Sequence, residues 1–168
     1  MQAGTDMTRR DLLAGSVAAV IGTSIAGLRG QAAWAASGIH ALKLGTLEIT
    51  VLSDGVLNVA TRLLNRDMPA EAIETALGGA LSAPGQVQYS ANVVVVRNGG
   101  ELILIDAGSG TNWEPTVGKL ADRLTEAGID PAQITKVVIT HGHPDHIWGL
   151  AADFDDRLRF QNAEHIMP

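Results

Sequence analysis

Cysteine is missing from this chain, aromatic residues make up only 4% of it, and basic residues are the minority charge. Each shortage excludes something. Without thiols there are no disulfide staples, cysteine-ligated zinc fingers, iron–sulfur clusters or thiol nucleophile. Twelve Lys and Arg against eighteen Asp and Glu leave a net charge of −6. That sign opposes generic binding to a phosphate backbone, which needs clustered cations, so no nucleic-acid partner is expected. What remains is globular. With 46% apolar residues over 168 positions, the chain is too apolar for disorder and too mixed for a collagen or coiled coil.

Residues 1–36 read as an address. Thr8-Arg9-Arg10-Asp11-Leu12-Leu13 opens a positive-then-apolar pattern, and the run from Ala14 to Leu28 carries no charge until Arg29. Ala33-Trp34-Ala35-Ala36 closes the segment with a small-residue cleavage pattern, as in a secretory signal. The paired arginines resemble a twin-arginine signal. The expectation is a signal peptide over 1–36, a mature chain over 37–168, export to the periplasm or medium, and no stable membrane span after cleavage. The apolar stretch from Leu12 to Leu28 is at the lower limit for a span and rich in Gly.

The mature part alternates strands and helices, which predicts helices against a mixed, largely buried sheet, an α/β chain (α+β in some schemes). Ile39–Leu44 and Leu47–Leu52 around Gly45 predict a hairpin. Ser53-Asp54-Gly55 predicts a turn before a strand at Val56–Val59. Pro69 sits at a helix's first turn, with helix formers from Ala70 to Leu77 ahead of Gly78-Gly79. Ala83-Pro84-Gly85 predicts a loop. Val93–Val96 and Leu102–Ile105 flank an Asn98-Gly99 turn, predicting a hairpin buried on both faces. A helix is expected over Val117–Ala127, a buried strand over Lys136–Thr140, and a strand over Leu158–Ile166.

The chemistry is concentrated in His141-Gly142-His143-Pro144-Asp145-His146. In extended chain, residues two apart point the same way, so His141 and His143 can grip one ion together. Pro144 stops that stretch and redirects Asp145 and His146 toward a second ion, with Asp145 as N-cap of a short helix. Imidazole with carboxylate suits Zn²⁺ best, with Fe or Mn as alternatives. His40 and His165 are isolated in strand-like segments and read as ordinary surface or core residues. Asp153, Asp155 and Asp156 read as a solvated loop.

The run Thr140 to His146 resembles the H-x-H-x-D-H signature of the metallo-β-lactamase-fold hydrolases, and the order of elements from about Leu42 to Glu164 agrees with that family. Ser53-Asp54-Gly55 and the export signal resemble the branch with lactonases and methyl-parathion-type hydrolases. The resemblance implies the first half of an αβ/βα sandwich, with the C-terminal half and its remaining ligands absent, so that the chain is expected to be a truncated member or a fragment. It implies His141 and His143 on a first zinc, Asp145 and His146 on a second, and Asp106 as a supporting residue that orients the metal loops.

It further implies hydrolysis of an ester, lactone, amide or phosphotriester of a small-molecule substrate by metal-activated hydroxide. Asp145 is then the catalytic carboxylate that holds this hydroxide by a hydrogen bond. Two other readings stand beside this one. One is a non-catalytic fragment that needs a partner half; the other is a mononuclear-iron oxidoreductase resembling the sulfur dioxygenases. Trp148-Gly149 stands where many members have Gly-Gly, and the indole is expected to pack the short helix rather than narrow the pocket mouth. Oligomeric state is left open by the sequence.

Overall fold

The structure, a computed structural model, describes residues 37–151 and 157–168. The expected signal over 1–36 and the acidic loop at Asp153, Asp155 and Asp156 lie outside the described residues. Among the described residues, seven strands form one mixed sheet. Strand β1 (Ile39–Leu44) and β2 (Leu47–Ala60) are the expected hairpin, closed by Gly45 in the left-handed region at φ 61°. Helix α1 (Ala70–Leu77) begins just after Pro69, as expected. Two elements frame the segment expected to be a loop: a short β3 (Leu81–Ala83) and the long β4 (Gln86–Asn98) that it pairs with. After β5 (Glu101–Ile105) come α2 (Leu120–Glu126), β6 (Lys136–Val138), α3 (Pro144–Ile147) and β7 (Glu164–Ile166). The sheet order is β1-β2-β4-β5-β6-β7, antiparallel as far as β5 and parallel from β5 to β7. Among the described residues no helix is long and apolar enough to cross a membrane.

Ser53-Asp54-Gly55 is not a turn. Strand β2 runs straight through it: Ser53 pairs with Asn92 and Gly55 with Ala91, so Asp54 is the extra residue of a β-bulge. The bulge buries Asp54 completely. Only glycine fits next to it, because a Cβ on Gly55 would stand 2.0 Å from the carbonyl oxygen of Thr116 at a φ of 126°.

The Val93–Val96 and Leu102–Ile105 strands are not uniformly buried. Val93, Val95, Leu102 and Leu104 are at most 3% exposed, while Val94, Val96, Ile103 and Ile105 are half-buried. The buried set packs with Leu120, Leu124, Ile134, Val137 and Phe160 into one core. Each such side chain contributes about 1.5–3 kcal/mol by leaving water.

Three boundaries also move. Helix α2 starts at Leu120, not Val117, because Gly118 stands at φ 79° and interrupts the helical path. Strand β6 ends at Val138, and only the last three residues of the expected Leu158–Ile166 strand are in β7. Leu158 instead makes an isolated bridge to Ala151. The parallel registers Ile105↔Val138↔Ile166 align the carboxyl ends of β5, β6 and β7. Open α/β sheets bind ligands at such edges, and Asp106 and Thr140 both lie just past that edge.

Candidate metal centre

Asp106 follows β5 directly and is the one non-glycine among the described residues with a positive φ, 64°. A left-handed aspartate costs about 1–3 kcal/mol unless its surroundings hold it there. They do. Its backbone N–H donates to Val138 O at 2.8 Å, and the next amide, of Ala107, donates to His146 O at 2.8 Å. Its carboxylate accepts from the amide of Thr140 at 2.8 Å, from the Thr140 hydroxyl at 3.0 Å and pairs with Nδ1 of His146 at 2.8 Å. Both ring nitrogens of His146 thus face carboxylates, Nδ1 that of Asp106 and Nε2 that of Asp145; were Nε2 to ligate a metal, the Asp106 contact would hold the proton on Nδ1.

The motif residues come together as follows. His141 Nε2 and His143 Nδ1 face each other across 2.9 Å, and the hydroxyl of Thr140 lies 3.1 Å from Nδ1 of His141. The His141 ring centroid is 4.6 Å from that of His143 and 4.0 Å from that of His146. Asp145 Oδ2 is 3.2 Å from Nε2 of His146. Three imidazoles and a carboxylate therefore share one partly exposed corner. Asp145 is not the N-cap of α3. His143 takes that position with extended backbone, and Pro144 and Asp145 fill the first turn, where a carboxylate meets the positive end of the helix.

The donor set fits zinc in kind: imidazole nitrogens and carboxylate oxygens. It is open rather than closed. Among the described residues no three of His, Asp and Glu already surround a common point. His40 and His165 stay apart in strand pairs, with Val51 and Val137.

Asp54 is the structural residue the sequence did not single out. Its buried carboxylate accepts the amides of Ser109 at 2.8 Å, Gly118 at 3.3 Å and Leu120 at 2.9 Å. It therefore holds both ends of the 109–118 loop and the first turn of α2. Glu114, in the middle of that loop, accepts the amide of Asn58 at 3.1 Å. Close approach does the rest: a Cβ on Gly149 would stand 1.8 Å from Ala107 O, and one on Gly118 would stand 2.2 Å from Gly110 O. Gly149 N also donates to Gly108 O at 3.0 Å, so the loop after β5 and the turn after α3 are laced together. The Trp148 indole is 48% exposed and lies against Trp113, ring centroids 5.7 Å apart.

This mixed sheet with helices matches part of the fold of metallo-β-lactamase-type structures. A family model for the metallo-beta-lactamase superfamily matches residues 87–157. Among solved structures, the chain is similar to AidC, a dizinc quorum-quenching lactonase in complex with an N-hexanoyl-homoserine product. They share 31% identity and a TM-score of 0.68 over 76% of this chain and 44% of AidC. It is similar to the hydrolase AbOPH of the beta lactamase superfamily at 32% identity and a TM-score of 0.68, covering 76% of this chain and 43% of that one. Shorter stretches match ribonuclease Z from Pyrobaculum calidifontis, 41% identical over 51 residues, which is 30% of this chain and 15% of that protein. The chain thus spans less than half the length of these relatives.

Proposed function

We propose that this chain carries the first group of metal ligands of an exported, metal-dependent hydrolase acting on an ester, lactone, amide or phosphotriester. The observation that carries the reading is the Asp106 clamp, which fixes His146 and the Thr140–His141 junction so that the rings of His141, His143 and His146 are neighbours at one sheet edge. Likeness at 31–32% identity to a dizinc lactonase and a hydrolase of the same fold supports it.

His141 and His143 would hold one ion, with Asp145 and His146 at a second. Bound zinc supplies hydroxide at neutral pH and polarises the bond under attack. The chain's own residues do the positioning. Asp106 would hold the proton on Nδ1 of His146 when Nε2 ligates. Thr140 bridges Asp106 to His141. Asp145, on the first turn of α3, accepts a proton-bearing group and orients it. Export rests on Arg9-Arg10 and the Ala33–Ala36 pattern.

A second reading is a non-catalytic module whose cluster another polypeptide completes. Assays of p-nitrophenyl acetate, a δ-lactone and a dialkyl aryl phosphate, with zinc and after chelation, test the proposal. Zinc-dependent turnover of at least one is expected; no turnover with zinc present favours the second reading. Iron as the sole activating metal favours the oxidoreductase.

A further inference from the structure

The two faces of the sheet differ in what covers them. Leu52, Val93, Leu104 and Val137 point to one side, where Leu120, Leu124 and Phe160 bury them. Residues one step along each strand point to the other side. The ladder registers set Val51, Val94, Ile105, Val138 and Ile166 in one row across five strands, and Ile49, Val96 and Ile103 in the next. All of these are half-buried or exposed, and none belongs to the buried core or packs against it. At the two edges of the face, Leu42 and Ile166 are 40% and 41% exposed. A sheet with one face in water carries polar side chains there; this one carries branched aliphatics.

Polar residues frame the patch. Ser53 and Asn92 border it at one end of β2 and β4. Asn98, Glu101, Lys136 and Glu164 border it at the other, with Lys136 paired to Glu101. An apolar centre free of charge inside a polar border is the anatomy of a protein interface. The dimensions agree. Six strands in register, about 4.8 Å apart and about four side chains deep, give roughly 600 Å² per copy. Two such faces together give roughly 1,200 Å², the lower end of stable interfaces.

We infer that two copies of this chain pack sheet against sheet through this face as a two-fold dimer. An uncharged centre is its own complement, so a two-fold axis buries no unpaired charge there. Aligned sheets interdigitate such aliphatic rows about 10 Å apart. The inference concerns assembly and does not rest on the hydrolase proposal.

Sedimentation velocity of the full chain over a micromolar concentration series tests it. A dimer is expected. Val96→Lys, at the centre of the face, raises the dimer dissociation constant at least about 100-fold by burying a charge against its own copy. Tyr89→Lys, on the same strand but exposed and outside the face, leaves it unchanged. Mixing Val96→Lys with Val96→Asp restores a dimer, which requires that the face meets a second copy of itself. Circular dichroism and urea unfolding establish that each variant is folded. Val96→Thr, which keeps the branched shape, weakens the dimer less and serves if the lysine variant does not fold. A dimer or larger species indifferent to Val96→Lys overturns the inference, and so does a mixture of folded variants that stays monomeric. A monomeric wild type also overturns it, and leaves the face to a different polypeptide, such as the part of AidC and AbOPH that this chain does not match.

Discussion

Asp106 Oδ2 stands 2.8 Å from Nδ1 of His146, and its other oxygen stands 2.8 Å from the amide of Thr140. One carboxylate thus joins the ends of two parallel strands to the turn that carries the third histidine. Asp106→Asn keeps a residue that tolerates the left-handed backbone but cannot accept from His146 and Thr140 together. We expect zinc affinity to fall about 10–100-fold with little loss of fold, read by competition against a chromophoric chelator. Unchanged affinity would remove Asp106 from the positioning role.

Asp54 serves the loop in the same way. Asp54→Ala strands three amides, those of Ser109, Gly118 and Leu120, and leaves a cavity. Each orphaned donor costs about 1–3 kcal/mol, partly offset where water enters. A loss of about 3–5 kcal/mol in urea denaturation is expected, with Asp54→Asn recovering part of it. A loss under about 1 kcal/mol would show that the loop is held by other means.

Sequence reading found most of this architecture and lost the rest for identifiable reasons. Hairpins at Gly45 and Asn98-Gly99, helix α1 after Pro69, and the clustering of His141, His143, Asp145 and His146 all rest on local rules: a turn glycine, a first-turn proline, period-two geometry. Asp54 escaped because Ser-Asp-Gly is equally good chemistry for a turn and for a bulge. Only the pairing of β2 with β4 decides, and that partner lies more than 30 residues away. Val117 looked helical because its spacing to Leu120 and Leu124 is right, while the break came from Gly118 packing on Gly110 O. Alternating burial along β4 and β5 was invisible because valine and isoleucine occupy both faces. The pairing of Trp148 with Trp113 was equally invisible, because the loop that Asp54 holds brings Trp113 there from 35 residues away.

Gly149 offers a sharper test of the lacing between the two site loops. Adding one methyl, Gly149→Ala, puts a carbon 1.8 Å from Ala107 O, so the turn after α3 must move. We expect a loss of about 1–3 kcal/mol in thermal or urea unfolding, together with weakened zinc binding. Gly100→Ala, where a Cβ meets nothing within 4 Å, is the control and should change neither. Equal behaviour of the two variants would contradict the packing described.

One pH effect has a clear sign. Glu48, an exposed residue, has its carboxyl pKa lowered first by a hydrogen bond from Lys43 and then by the Lys43 charge. A lowered folded pKa means that the contribution is present above the ordinary glutamate range and lost as pH falls through the folded value. For an exposed pair it is small. A carboxyl-carbon NMR titration should place Glu48 below a free glutamate, and Lys43→Ala should return it. A wild-type titration at the ordinary value would count against the pair.

The most direct measurement is metal content and affinity of the purified chain, wild type beside His141→Ala and His143→Ala. If the imidazole cluster is a metal site, the wild type retains zinc, iron or manganese after desalting or binds added zinc saturably. Each substitution then weakens that binding at least tenfold, with far-ultraviolet circular dichroism unchanged. A wild-type chain that takes up none of these metals, or one that binds zinc equally well without His141 and His143, would contradict the account.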